Sequence, residues 1–127
     1  MQNRNIKAFT LVEIMIVLAI MSIVVAIAAP TWFRQREISR ANACQENLAK
    51  IDQSLEQYAL ENKLPNNSPV NYPADLMNPG GSGPGTGYLK QTPSCPAGGT
   101  YTVTNVGTDP ECSIGFNNSP FAAHTIQ

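Results

Sequence analysis

Charge is scarce in this sequence and nearly balanced: 8 basic and 9 acidic residues leave a formal net charge of -1, and charged side chains make up 13% of the chain. Nucleic-acid binding driven by counterion release needs a basic patch, and the sequence offers neither that nor an acidic tail. Histidine is scarcer still. The single His124 stands near the C-terminus, in a segment that reads as mobile. No Cys-His pair and no metal cluster can be assembled from the residue order at recognisable spacing. No catalytic residue, cofactor or metal is therefore expected, and the chain does not read as an enzyme. Glycine is missing from Phe9 to Asn62, where Pro30 is the one proline, so only Pro30 interrupts helix formation there. The glycines gather instead in a run from Gly80 to Gly87, which lacks the Lys-Ser/Thr ending and following helix of a phosphate-binding loop.

What is present is concentrated at the N-terminus. A short polar segment, Met1 to Ala8 with Arg4 and Lys7, precedes 21 residues from Phe9 to Ala29 whose one charged side chain is Glu13. Such a run spans about 31 Å as a helix, which matches a hydrocarbon core of roughly 30 Å. A second reading stays open: Ala26-Ile27-Ala28 resembles the small-x-small pattern cut by signal peptidase, and cleavage near Ala28 would release a soluble secreted binding module. The length of the run and the acid early in it oppose that reading, because cleavable apolar regions usually run about 7–15 residues. Topology is undecided by charge, with Arg4 and Lys7 before the segment and Arg34, Arg36 and Arg40 after it.

Beyond the apolar run, Ile38, Ala41, Cys44, Leu48, Ile51, Leu55 and Tyr58 recur in steps of three or four and predict one helical stripe, with Arg40, Glu46, Lys50, Asp52 and Glu56 opposite. Glu46 and Lys50 lie one turn apart as an attractive pair. The simplest expectation is a single stem of about 80 Å ending near Lys63, kinked or loosened at Pro30. Pro65 to Gly87 reads as a surface loop with one possible helical turn, Pro73 to Met77. Thr100 to Thr104, and Cys112, Ile114 and Phe116, alternate as two half-buried strands joined through Gly107-Thr108-Asp109-Pro110. Two strands alone are marginal, so their apolar face must lie on the stripe. The fold class is α+β: a long N-terminal helix packed against a small antiparallel sheet. The segments are 1–8 as leader, 9–29 as membrane helix, 30–63 as amphipathic continuation and 64–127 as a loop-rich head.

Three cysteines in so small a head suggest an oxidising compartment. Cys95 and Cys112 flank the hairpin and are paired as a disulfide, a loop closure contributing roughly 3 kcal/mol, while Cys44 in the stripe is left buried and free. Three reduced, buried thiols are the alternative. Asp109 and Glu111 read as a solvated turn, because two acids fall short of the usual ligand number of calcium. Trp32 and Phe33 suit either a headgroup-level anchor or packing against neighbouring stems. Glu13 is the costly residue. An acid at mid-membrane costs on the order of 3 kcal/mol by insertion scales and calls for a cationic partner, which this helix does not contain.

Ala8-Phe9-Thr10-Leu11-Val12-Glu13-Ile14-Met15-Ile16-Val17-Leu18-Ala19-Ile20, with basic residues before it and Pro30 after it, resembles the N-terminal signature of type IV pilins and type II secretion pseudopilins. The likeness covers Lys7 to Pro30, with a looser one at Tyr58, Asn62 and Pro65. It implies a structural subunit cut by a prepilin peptidase between Ala8 and Phe9, N-methylated at Phe9, and polymerised through its apolar helix. Glu13 would then meet the N-terminal amine of an adjacent subunit. Ala8 departs from the glycine usual at that place, which implies slower processing. The partners implied are other pilin-like subunits in a homo- or hetero-filament, the peptidase/methyltransferase, an inner-membrane assembly platform and membrane lipid. The precursor would sit in the bacterial inner membrane with its head outside the cytoplasm, and then enter a periplasmic or cell-surface filament.

Overall fold

The structure, a computed structural model, describes residues 9–78 and 87–126. The leader, including Ala8, lies outside the described residues, as do 79–86 of the glycine-rich run and Gln127. The chain forms two compact units, Met1–Gln35 and Arg36–Gln127.

Helix α1 runs Leu11–Glu61 with Pro30 inside it. Proline has no N–H to give the Ala26 carbonyl one turn earlier; beside it, the Thr31 hydroxyl donates to the Ile27 carbonyl at 3.5 Å. The helix stops at a left-handed residue, Lys63 (φ 52°). The Leu64 N–H reaches the Ala59 carbonyl at 2.9 Å and the Lys63 N–H the Leu60 carbonyl at 3.3 Å. This is the Schellman arrangement, formed with lysine where glycine is usual, and Pro65 prevents any continuation.

The second unit is built on the C-terminal part of α1. Ala41, Cys44, Leu48, Ile51, Ser54, Leu55 and Ala59 are its buried residues, so the predicted stripe holds, with Ile38 and Tyr58 half-buried at its ends. The ion pair on this stretch joins Arg40 to Glu37 at 2.9 Å rather than Glu46 to Lys50. Cys44, Leu48, Ile51, Leu55 and Ala59 share one core with Val70, Leu76, Leu89, Cys95, Tyr101, Val106 and Cys112. Each fully buried aliphatic side chain contributes about 2 kcal/mol of transfer free energy.

The sheet is antiparallel and short: β1, Tyr101–Thr102, pairs with β2, Glu111–Cys112, with Tyr101 opposite Cys112. The longer strands expected from the alternation do not form, and the hydrogen bonds say why. After Thr102 the chain leaves β2 for residues 67–70: Val70 N–H donates to Thr104 O at 3.1 Å and Val106 N–H to Ser68 O at 2.9 Å. On the other side Gly115 adopts a φ of +50°, which ends the period of two, and Phe116 is 80% exposed instead of facing the core. The loop is also less peripheral than expected, since it buries Val70 and Leu76. Its helical turn, α2, is Ala74–Met77, with Pro73 as N-cap and the Asp75 carboxylate accepting from the Asn71 N–H at 2.9 Å. Tyr88 closes this end, donating to Glu61 and meeting Tyr58 edge-to-face at 6.0 Å.

Candidate functional site

At the start of α1 the sequence Thr10-Leu11-Val12-Glu13 places a hydroxyl before the helix and an acid three residues on. The Thr10 hydroxyl accepts from the Glu13 N–H at 3.3 Å, an N-cap that satisfies one of the helix's orphan donors. The carboxylate lies in the first turn, where the positive end of the helix dipole favours it. Thr10 thus caps the helix, a structural role that the Thr-x-x-Glu spacing of a capping box signals in the sequence.

From Phe9 to Ile27 every large apolar side chain is exposed, between 43% and 78%. An apolar surface of this extent needs lipid or protein to cover it. The best 18-residue window has mean hydropathy 2.9 and none of it is buried, so length and composition suffice to cross a membrane. Trp32 and Phe33 follow, both exposed and edge-to-face at 5.6 Å.

The second unit holds another constellation. All three cysteines are free thiols; Cys95 and Cys112, paired as a disulfide in the sequence reading, have their sulfurs within 4.8 Å of each other without a bond between them. Cys44 is buried and free, as expected. The ligand atoms of Cys44, Cys95, Cys112 and His124 all lie within 4.8 Å of one another. His124 is not in a loose tail: it is fully buried, its backbone N–H donates to the Gly115 carbonyl at 2.8 Å, and Gln45 holds the neighbouring Ala123 carbonyl at 2.9 Å. The imidazole Nδ1 is 3.5 Å from Cys95 Sγ. Asn47 donates to the Tyr101 hydroxyl at 3.3 Å and to Ser94 O at 3.1 Å.

Burial dominates the electrostatics here. It pushes the Cys44 thiol up to about 12, against the opposing hydrogen bond from Tyr101 and with further upward pressure from Cys112 and Cys95. Burial also raises the Tyr101 phenol, as does its bond to Cys44. At Cys95 burial acts upward too, yet the N–H groups of Ala97 and Gly99 and the thiols of Cys44 and Cys112 outweigh it, and the thiol falls below its usual range. His124 is lowered by burial, partly offset by Glu37. Asp109 and Glu111 remain exposed and border a cleft of ≈ 360 Å³ with Phe116 and Thr125.

A long helix with an uncovered apolar first half, whose second half carries a small α+β head, defines a pilin-like protein. Residues 3–29 match the family described as the prokaryotic N-terminal methylation motif. The competence protein ComGC of Halalkalibacterium halodurans is 30% identical over 98 residues, covering 76% of this chain and 83% of that protein. The type II secretion system core protein G of Aeromonas hydrophila is 27% identical over 113 residues, 84% of this chain and 78% of the relative. Its counterpart in Pseudomonas aeruginosa is 28% identical over 113 residues, 85% and 80%. No solved structure matches significantly. The chain belongs to the type IV pilin and type II secretion pseudopilin family.

Proposed function

We propose that this chain is a structural subunit of a type IV pilus-like or type II secretion pseudopilus filament, assembled through α1 after prepilin peptidase cleavage between Ala8 and Phe9. The observation that carries the reading is the coincidence of the methylation motif with a helix whose apolar residues are exposed throughout. Before assembly that surface is covered by the bilayer of the inner membrane, with the head on the outer side. In the filament it is covered by neighbouring stems, whose small residues Ala19, Ser22 and Ala26 permit close approach. Glu13 then faces the methylated amine of an adjacent Phe9, and the pair contributes register more than net stability. The peptidase/methyltransferase and the inner-membrane assembly platform are the further partners of this scheme. Release near Ala28 as a secreted module is not favoured, since that site lies at the end of the matched motif and inside α1.

Mass spectrometry of the native material tests this directly. The expected mature N-terminus is N-methylated Phe9, in filaments; a terminus at Ala29, or an uncut Met1 in unassociated chains, would overturn the proposal.

A further inference from the structure

We propose that Cys44, Cys95, Cys112 and His124 form a structural zinc site that ties the stem helix to the head. The four donors come from four separate places: α1, the turn after Ser94, β2 and the C-terminal segment. All four residues are buried, Cys44 and His124 completely. Tetrahedral zinc, with Zn–S about 2.3 Å and Zn–N about 2.0–2.1 Å, sets sulfurs about 3.8 Å apart and sulfur about 3.5 Å from nitrogen. The 3.5 Å from Cys95 Sγ to His124 Nδ1 matches that spacing, and with all ligand atoms within 4.8 Å of one another the donors need to close by no more than about 1 Å onto the ion.

Around the cluster, Asn47 on α1 donates to the Tyr101 hydroxyl at 3.3 Å and to the Ser94 carbonyl, next to Cys95, at 3.1 Å, and Gln45 holds the Ala123 carbonyl, next to His124, at 2.9 Å. Outer hydrogen bonds of this kind hold ligands in place in metal sites. Gly99 is required by the same packing: a Cβ there would stand 2.7 Å from Cys112 Sγ. A disulfide would use two sulfurs and leave the third thiol and the imidazole without a role. Nε2 of His124 is buried without a hydrogen-bond partner, so the ring's one polar contact is that of Nδ1 with Cys95 Sγ, on the side where the three sulfurs gather. Zinc uses all four donors. On binding, the three thiols give up three protons to solvent, each thiolate and Nδ1 contribute an electron pair, and the proton of the imidazole stays on Nε2. No oxidant is involved.

The test uses the full chain, purified in detergent without chelators. Elemental analysis is expected to find about one zinc per chain, and intact-mass alkylation to count three reduced cysteines that become reactive when a chelator removes the metal. Chelation is expected to lower the melting temperature by more than about 10 °C. Replacing zinc with Co²⁺ in the unmutated chain should give the visible bands of tetrahedral cobalt with thiolate charge transfer. Cys44→Ser and His124→Ala should each weaken zinc binding by at least about 10-fold. A mass two hydrogens lower with one alkylatable cysteine would mean a disulfide and overturn the proposal. So would three free thiols that take up no cobalt, or zinc retained unchanged in both variants.

Discussion

Glu13 has two roles available on one turn of helix, and single substitutions separate them. Its backbone N–H is capped by the Thr10 hydroxyl, which concerns the start of α1, whereas its carboxylate is the group proposed to pair with the amine of an adjacent subunit. Thr10→Ala removes the cap at a cost of about 1 kcal/mol and should speed amide exchange across the first turn. Glu13→Gln leaves the cap in place and removes the charge. The expected outcome is filaments from Thr10→Ala and none from Glu13→Gln, with both chains still inserted in membranes, as electron microscopy and membrane fractionation would report. Assembly of Glu13→Gln at the normal level would exclude the ionic pairing. The capping pattern is local, a hydroxyl three residues before an acid, and so lies in the sequence itself. His124 is the opposite case: neither a sequence distance of 80 residues from Cys44 nor its C-terminal place gives any sign of full burial.

At the scale of elements, α1 was legible because its signals are local and repeated. The exposed and buried residues follow the periods read from the sequence, and Pro65 marks its end. The stop itself depends on Lys63 at φ 52°, a conformation that disfavours any side chain. Lys63 is exposed, so Lys63→Gly should relieve that strain at little other cost and stabilise the head by about 0.5–1 kcal/mol, seen as a higher melting temperature. The β elements were legible in position but not in length. Alternation from Thr100 to Thr104 states which residues favour extended backbone; it does not state that Thr104 and Val106 take their hydrogen bonds from residues 67–70. Likewise the apolar Phe116 fits the strand period, yet the positive φ at Gly115 turns it outward.

For the whole molecule, the two units that meet after Gln35 differ in how much apolar surface they expose. Among the described residues of the second unit, Leu60 and Phe116 are the exposed large apolar side chains, against a continuous series in the first. A chain of residues 36–127 should therefore fold as a monomer in water, with helical circular dichroism and a cooperative melt, while the full chain requires detergent; aggregation of the shorter chain would show that the head depends on the stem before Arg36. By itself the sequence determined the apolar helix, its lone acid, the stripe on the stem and the α+β class, because hydrophobic period, run length and proline or glycine placement act over neighbouring residues. Only the tertiary structure decided that Cys44 joins Cys95 and Cys112 instead of standing apart, and that His124 completes the group. Those four residues are brought together by packing of the loop, hairpin and C-terminal segment on α1, and no local pattern encodes a meeting between side chains so distant along the chain.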